Sequence, residues 1–209
     1  MDDPKKIVER GWDEIADRFA EWQRGVEGSQ RLERLNDLLR RLPLQPDVLE
    51  LGSGAGVRST QLLAERGRLT GVDISAEQVR RARERVGEAR FVHADVMEVE
   101  FAAGTFDAAV SFYVLNNLPR EELGPLFERI RRWLRPGGWL LASLPTTDNP
   151  GWRGDWLGAE MFFSGWDIPE TVRLARDAGL EIVEEEVETM IEPDHGEACW
   201  LWLLARRPV

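Results

Sequence analysis

The sequence predicts an α/β fold built on a mostly parallel sheet of seven strands, doubly wound so that helices cover both faces. Two observations support this prediction. Short apolar runs alternate with amphipathic segments of about 10–15 residues, which is the pattern of strands and helices in a parallel sheet. The first of these runs ends in glycines that lead directly into a helical segment, as in Rossmann-like folds. A chain of 209 residues is long enough for one such domain.

Two helical segments precede the alternating region, and together they predict an N-terminal helical cap over residues 1–43. The first segment carries a single apolar stripe with spacings of three and four residues: Val8, Trp12, Ile15, Phe19 and Trp22. The second segment carries leucines from Leu32 to Leu42 and ends at Pro43. Gly25 and Gly28 lie between the two segments and predict a break there.

Residues 44–209 supply the alternating elements and form the predicted main domain. The predicted strands are 47–51, 69–72, 90–93, 106–112, 139–144, 180–191 and 197–206. The predicted helices are 57–66, 76–86, one that opens at Pro119 and stops at Arg135–Gly138, and one from Asp167 to Gly179. Residues 193–196 are typical of a hairpin turn, so the sheet is expected to end in a C-terminal antiparallel hairpin strand.

Composition excludes several classes of protein. No apolar run approaches the ~20 residues that span a bilayer, and the N-terminus lacks the apolar stretch of a signal peptide. The single cysteine, Cys199, offers neither an internal disulfide nor a metal-ligand spacing, so we expect a cytoplasmic protein without a metal. A net charge of −11 argues against a nucleic-acid partner, because binding DNA or RNA requires neutralising phosphates.

The segment from Val48 to Gly56 is the most informative part of the sequence. Its glycines fall at every second position, whereas a dinucleotide fingerprint has its third glycine one residue later, at the position of Val57. Glu50 precedes the glycines, and a carboxylate there suits a ligand with an ammonium group better than a pyrophosphate. Asp73 ends the next strand, where it can accept hydrogen bonds from ribose hydroxyls.

Three further segments complete a family pattern: Asp95 after the third strand, residues 106–118 around the fourth strand, and residues 134–141 before the fifth. In order and spacing, this set resembles the class I S-adenosylmethionine-dependent methyltransferases. The resemblance covers about residues 45–145. It implies the cofactor S-adenosylmethionine and a methyltransferase activity, but it does not identify a methyl acceptor.

The resemblance also implies roles for individual residues. The methionine moiety of the cofactor would be held by Glu50, Gly52, Ser53, Gly54, Gly56 and the backbone of Phe112. Asp73 would bind the ribose hydroxyls. The adenine would be bordered by Ile74, Asp95 and Val96. The N-terminal helix would close over the cofactor with Trp12 and Phe19. Structural roles remain open from the residues alone: Glu50 could pair with an arginine, Asp73 could cap the next helix, Asp95 could cap a loop, and Trp12 and Phe19 could be core residues.

Candidates for the acceptor site follow the fourth and fifth strands. Tyr113, Asn116 and Asn117 are expected to line the transfer site, although an asparagine can only orient an acceptor and cannot deprotonate it. No convincing general base is present, so no catalytic residue is assigned. Leu144–Asp167 is expected to be a long connecting loop at the carboxyl edge of the sheet. Its proposed acceptor-binding residues are Trp152, Trp156, Phe162 and Trp166, with a structural wrap or dimer contact as the alternative.

The sequence therefore predicts a methyltransferase that acts on oxygen or nitrogen of a small organic molecule. An RNA or protein methyltransferase, and a non-catalytic cofactor-binding regulatory protein, remain as alternatives. A homodimer is compatible with all three.

Overall fold

The computed structural model describes residues 3–209, so the first two residues of the predicted cap lie outside the described residues. The helices are α1 (Pro4–Trp22), α2 (Arg31–Leu39), α3 (Arg58–Arg66), α4 (Ala76–Arg85), α5 (Leu123–Trp133) and α6 (Ile168–Asp177). The strands are β1 (Asp47–Leu51), β2 (Arg68–Asp73), β3 (Arg90–His93), β4 (Phe106–Ser111), β5 (Leu134–Pro145), β6 (Asn149–Trp156), β7 (Ala159–Gly165), β8 (Glu181–Glu192) and β9 (Gly196–Arg206).

The predicted seven-stranded sheet is confirmed. Its strand order is β3-β2-β1-β4-β5-β9-β8. The first five strands run parallel, and β9 pairs antiparallel with both β5 and β8. The chain reverses its direction of winding between β1 and β4, and a crevice for a ligand opens at the carboxyl ends of the strands at such a point.

Alternation of side chains along the strands divides the core into two layers. On β1, Val48 packs with α2, α3 and α4, whereas its neighbour Leu49 packs with α5 and α6. All of these helices present apolar stripes with helical spacing, so each layer is closed by leucine, isoleucine and valine. The sheet is therefore covered on both faces, and its strand ends are held rigidly.

The segment between β5 and α6 corrects one sequence expectation. Leu144–Asp167 is not a loop, because β6 and β7 pair antiparallel as a separate two-stranded hairpin. Its turn is Leu157-Gly158, and both residues have positive φ, as two-residue hairpin turns require. Leu-Gly is not a typical turn sequence, and aromatic residues hide the alternation of apolar and polar positions, so no clear sequence pattern predicts these strands.

A second correction concerns the start of β5. Helix α5 ends at Trp133, just before the predicted stop signal at residues 135–138, and those residues already belong to the strand, which begins at Leu134. The β4–β5 register shifts between Phe106 and Ala108, so this part of the strand is irregular.

Helix α1 lies across the carboxyl edge of the sheet and packs against β7. A Cβ added to Gly11 would lie 2.2 Å from Sδ of Met161 and 2.8 Å from the Glu160 carbonyl oxygen, so this close approach requires glycine. The side chain of Asp3 caps the helix by accepting from the Lys5 N–H at 3.0 Å. Among residues 3–209, no helix is both long and apolar enough to cross a bilayer.

Candidate active site

The glycine turn after β1 is the starting point of the site. Gly52 has a φ of +70°, and its N–H donates to the Val72 carbonyl oxygen at 2.7 Å. A Cβ at this position would lie 2.3 Å from Cγ2 of Val114, so both the conformation and the packing exclude a side chain. Nothing lies within 4 Å of a Cβ added to Gly54, so the backbone there faces open space.

Asp73, at the end of β2, holds this turn in place. Its Oδ2 accepts from the Gly54 N–H at 2.8 Å, and its Oδ1 accepts from the Ser75 N–H at 2.9 Å. Burial raises the pKa of the Asp73 carboxyl to about 6, although both backbone N–H groups favour the charged form. Each oxygen keeps a further lone pair, so the carboxylate can accept additional hydrogen bonds from a ligand.

Glu50 lies deeper, and its carboxyl is only half satisfied. The residue is 3% exposed, and its Oε1 accepts from the Thr60 hydroxyl at 3.1 Å. Its Oε2 is buried and has no hydrogen-bond partner. Oγ of the nearby Ser53 is likewise buried and without a partner. Burial raises the pKa of Glu50 to about 8, more than Thr60 and Arg31 lower it. An unpartnered buried carboxyl calls for a donor from outside the protein.

Arg31, at the start of α2, supplies a cation that sequence analysis did not identify. Its guanidinium lies 4.7 Å from the ring centroid of Tyr113 and 5.8 Å from that of Phe112. Burial lowers the pKa of the Arg31 guanidinium, and Tyr113, Glu50 and Glu188 oppose this shift. Among residues 3–209, no carboxylate forms a direct ion pair with it. No motif marks this arginine, because only the packing of α2 brings it to the strand ends.

Tyr113 follows β4 in a strained conformation, with a φ of +59°. Its N–H donates to the Ser143 hydroxyl at 2.6 Å, and its own hydroxyl lies 3.0 Å from that of Ser29. Burial raises the pKa of the Tyr113 phenol to about 12, so the phenol stays protonated at neutral pH. These contacts fix the ring beneath Arg31.

Asp95 is tied to helix α1. Its Oδ2 lies 2.6 Å from Nζ of Lys5, which also pairs with Glu122 at 2.8 Å, and its Oδ1 accepts from the Met97 N–H. The predicted contact with an adenine amino group must therefore compete with Lys5. The ion pairs fasten α1 over this end of the site.

These residues surround a first cavity at the carboxyl ends of β1, β2 and β4. Of the twelve residues predicted to bind the cofactor, all except Gly56 line it: Trp12, Phe19, Glu50, Gly52, Ser53, Gly54, Asp73, Ile74, Asp95, Val96 and Phe112. Gly56 instead lies against α4, where a Cβ would be 3.0 Å from Cα of Ala82.

A second cavity of about 570 Å³ adjoins the first, and Trp12, Arg31 and Tyr113 border both. Four of the residues predicted to bind the acceptor line it: Tyr113, Asn116, Asn117 and Trp156. Sequence analysis missed several others, which come from distant elements: Trp22, Arg31, Arg58, Phe163, Glu192 and Trp200.

Three aromatic residues predicted to bind the acceptor do not line either cavity. Trp152 is 42% exposed and stacks on the far side of Phe163, with ring centroids 5.5 Å apart. Phe162 packs against α1, because alternation along β7 directs it away from Phe163. Trp166 donates to the Arg120 carbonyl oxygen at 2.8 Å and stacks under that arginine's guanidinium. The sequence predicted one aromatic loop over the acceptor. In the structure this segment is a hairpin, and only its residues Trp156 and Phe163 line the second cavity.

Comparisons with known proteins agree with this geometry. Residues 48–138 match a family model described as a methyltransferase domain. A trans-aconitate 2-methyltransferase of Azoarcus sp. (strain BH72) is 36% identical over 130 residues, which cover 59% of this chain and 50% of that protein. An uncharacterized methyltransferase of Mycobacterium tuberculosis is 36% identical over 95 residues, covering 44% of this chain and 47% of that protein. The chain thus spans about half the length of these curated relatives.

Solved structures share the fold over a longer stretch. A 1,6-didemethyltoxoflavin-N1-methyltransferase of Burkholderia thailandensis, with 1,6-didemethyltoxoflavin and S-adenosylhomocysteine bound, has a TM-score of 0.68 and 23% identity, covering 100% of this chain and 92% of that one. A methyltransferase of Methanosarcina mazei has a TM-score of 0.72 and 20% identity, covering 81% of this chain and 96% of that one. At these identities, the likeness establishes the fold.

Proposed function

We propose that this chain is a class I S-adenosylmethionine-dependent methyltransferase and that it transfers the methyl group of that cofactor to a small organic molecule. The match of residues 48–138 to a methyltransferase-domain model and the shared fold support this proposal. The proposed acceptor atom is oxygen or nitrogen. The names of the relatives support a small organic acceptor, since they mention trans-aconitate and 1,6-didemethyltoxoflavin.

The observation that carries the proposal is a buried, half-satisfied carboxyl and a guanidinium at one end of the first cavity. Glu50 offers a buried carboxyl oxygen without a partner, and Arg31 offers a guanidinium without a direct ion pair among the described residues. The amino-acid end of S-adenosylmethionine carries an ammonium and a carboxylate. Glu50, ionised when the ligand binds, suits the ammonium, and Arg31 suits the carboxylate, so binding supplies each group with its counterpart.

The remaining residues of the first cavity fit the nucleoside end. The Asp73 carboxylate can accept hydrogen bonds from both ribose hydroxyls while it holds the glycine turn. Ile74 and Val96 provide apolar surface for an adenine ring. Nicotinamide dinucleotides fit less well, because their pyrophosphate would lie beside the buried carboxyl of Glu50.

The two cavities meet where a methyl group has to be transferred. Bound S-adenosylmethionine supplies a methyl group activated by its sulfonium, and the protein has to align it with the acceptor atom. Trp12 is positioned for this alignment at the junction, because its indole N–H donates to Oδ1 of Asn117 at 2.9 Å. The same contact holds Asn117 in an orientation in which its own N–H₂ donates to Val114 and Asn116.

Isothermal calorimetry tests the cofactor. We expect S-adenosylmethionine and S-adenosylhomocysteine to bind with one site per chain, and NAD to bind at least a hundredfold more weakly. Tight binding of NAD with no heat from either sulfur compound would overturn the proposal. Binding of S-adenosylmethionine without product formation from any small acceptor would favour the non-catalytic alternative.

A further inference from the structure

We propose that Glu188 of β8 is a positioning residue for the cofactor site, which acts by holding Arg31 in place for the carboxylate of the cofactor. This inference rests on the proposed function, which assigns Arg31 to that carboxylate. Glu188 lines neither cavity, and its strand lies at the edge of the sheet, three strands from β4. The residue is nevertheless 2% exposed. Because burying a carboxyl is costly, the groups that surround it have to account for its position.

Three hydrogen-bond donors from different elements converge on the Glu188 carboxyl. Its Oε1 accepts from the Gln30 N–H at 2.5 Å. Its Oε2 accepts from the Trp202 indole N–H and from the Tyr113 hydroxyl, the latter at 3.4 Å. Trp202 belongs to the neighbouring strand β9, whereas Gln30 directly precedes Arg31 in the chain. Glu188 thus connects the edge of the sheet to the residues around Arg31.

A second connection from Glu188 to Arg31 runs through two hydroxyl groups. The Tyr113 hydroxyl donates to Glu188, so its oxygen can accept from the Ser29 hydroxyl, which lies 3.0 Å away. The Ser29 oxygen in turn accepts from the Arg31 N–H at 3.4 Å. The ring of Tyr113 also lies beneath the guanidinium, with 4.7 Å to the ring centroid. The backbone of Arg31 and the ring below its side chain are therefore fixed to the same carboxyl.

Glu188 also acts on the charge of Arg31. Burial lowers the pKa of the guanidinium, and Glu188 is one of the groups that oppose this shift. Its oxygens are taken by the three donors, and it forms no direct ion pair with Arg31. The guanidinium therefore keeps N–H groups for a charge-assisted hydrogen bond to a ligand carboxylate.

The linker between α1 and α2, residues 23–30, has an anchor that does not depend on the Glu188 side chain. Glu27 pairs with Ile191 through two backbone hydrogen bonds of 3.0 Å each. A change in the side chain of Glu188 is therefore expected to displace the end of the linker next to Arg31 without releasing the rest.

Glu188→Asp tests the inference, because it keeps the negative charge but shortens the side chain by one methylene group. S-adenosylhomocysteine carries the amino-acid carboxylate, and 5′-methylthioadenosine has the same nucleoside without it. Calorimetry measures both dissociation constants. We expect the ratio of the Kd for S-adenosylhomocysteine to that for 5′-methylthioadenosine to rise about three- to fivefold, because only the first ligand uses Arg31. A merely structural role would weaken both ligands alike, so an unchanged ratio in a folded variant would overturn the inference.

Glu186→Asp is the matched control. Glu186 lies two residues away on β8 and pairs with Arg34 of α2 at 2.6 Å, but its side chain is 62% exposed. Exposed ion pairs contribute little, so we expect this variant to change the ratio by less than about 1.5-fold. Equal changes in the two variants would contradict a specific role of Glu188.

The double variant with Arg31→Met and Glu188→Asp shows whether the effect passes through Arg31. If it does, adding Glu188→Asp to Arg31→Met changes the ratio by less than about 1.5-fold. A further rise of about threefold in that background would show that Glu188 acts without Arg31 and would contradict the inference.

Tyr113→Phe decides the matter if Glu188→Asp does not fold. It keeps the ring beneath Arg31 but removes the hydroxyl between Ser29 and Glu188, so we expect the ratio to rise about twofold or more. An unchanged ratio would overturn the inference. The wild type separates the two proposals: if it does not bind S-adenosylhomocysteine, the proposed function fails, whereas wild-type binding with unchanged ratios in the variants is a failure of this inference alone.

Discussion

The two adjoining cavities are built in different ways. The floor of the first cavity comes from the ends of parallel strands, where backbone turns position the buried carboxyls of Glu50 and Asp73. The wall of the second cavity comes from aromatic side chains on α1, the β6–β7 hairpin and β9. The first cavity is thus specified by polar groups in short segments at the ends of neighbouring strands, and the second by aromatic side chains that meet only after folding.

This difference has an energetic consequence. Buried carboxyls such as Glu50 reduce the stability of the ligand-free protein, because burial disfavours the charged form and forces the carboxyl to take up a proton at neutral pH. Aromatic side chains of the second cavity stabilise the protein through buried area even without a ligand. We therefore expect substitutions in the first cavity to affect binding through charge, and substitutions around the second cavity to affect packing.

The largest effect is expected for Asp73→Ala. This substitution removes the proposed ribose contact and also the partner of the Gly54 and Ser75 N–H groups. Each charge-assisted hydrogen bond contributes ~1.5–3 kcal/mol before compensation, so S-adenosylhomocysteine affinity should fall about a hundredfold. Calorimetry measures the loss, and circular dichroism shows whether the variant is folded. Unchanged affinity in a folded variant would remove Asp73 from the site.

Glu50→Gln should produce a somewhat smaller loss and opposite effects on binding and stability. The amide keeps an oxygen for Thr60 but carries no charge for an ammonium, so we expect affinity for S-adenosylhomocysteine to fall about thirtyfold, or ~2 kcal/mol. The ligand-free variant should melt several degrees higher than the wild type at pH 8, because no buried charge has to form. A lower melting temperature together with unchanged affinity would contradict this account.

Cofactor affinity should also depend on pH. The folded pKa of Glu50 is about 8, above the value of about 4.5 for an exposed glutamate, so the ligand-free carboxyl holds a proton at neutral pH. Its contribution to stability therefore falls as the pH rises from about 4.5 to 8, whereas an ammonium ligand favours the ionised form. Affinity should rise roughly tenfold from pH 6.5 to 7.5, with release of a proton. Calorimetry in buffers of different ionisation enthalpy measures this proton, and Glu50→Gln should abolish the dependence.

Arg31→Met is expected to weaken S-adenosylhomocysteine binding about fivefold, because the carboxylate of the ligand loses its proposed cation. Arg34→Met is the matched control. Arg34 lies on the same helix and over the ring of Trp202, but it pairs with Glu186 and lines neither cavity. A loss of the same size in both variants would indicate a general effect of charge rather than a contact made by Arg31.

The smallest effect is expected at the junction of the cavities. Trp12→Phe keeps a ring beside Phe19 but removes the N–H that binds Asn117. A lost hydrogen bond of about 1 kcal/mol lowers the melting temperature of a chain of this size by roughly 2–4 °C. Trp152→Phe, which changes an exposed ring, should lower it by less than about 1 °C. Differential scanning fluorimetry compares the two, and equal shifts would contradict a specific role of the Trp12 N–H.

Much of the first cavity could be predicted because its parts lie within short segments. Gly52, Gly54 and Glu50 belong to one strand and its turn, and Asp73 ends the neighbouring strand, so the order of strands alone brings them together. Arg31 could not be found in this way. It follows a glycine-rich break without any motif, and only the packing of α2 against the sheet brings its side chain over Tyr113.

The second cavity was only partly predictable. The sequence showed that aromatic residues collect between β5 and α6, but not that they form two strands. Strand alternation and the close approach of β7 to Gly11 decide that Trp156 lines the cavity while Phe162 packs against α1. Glu192 and Trp200 come from the final hairpin, 36 and 44 residues beyond Trp156 in the chain.

Local sequence patterns were enough to predict the order of the helices and of the seven strands of the main sheet, the parallel pairing within it and the acids at its carboxyl edge. These features follow from apolar periodicity and from turns that only glycine can adopt, both of which are local properties of the chain. The tertiary structure alone decided which cation faces Glu50, which aromatic rings border the second cavity and which of their polar groups remain without partners. Such contacts join residues far apart in the sequence, and they depend on how helices and hairpins pack, which no local pattern encodes.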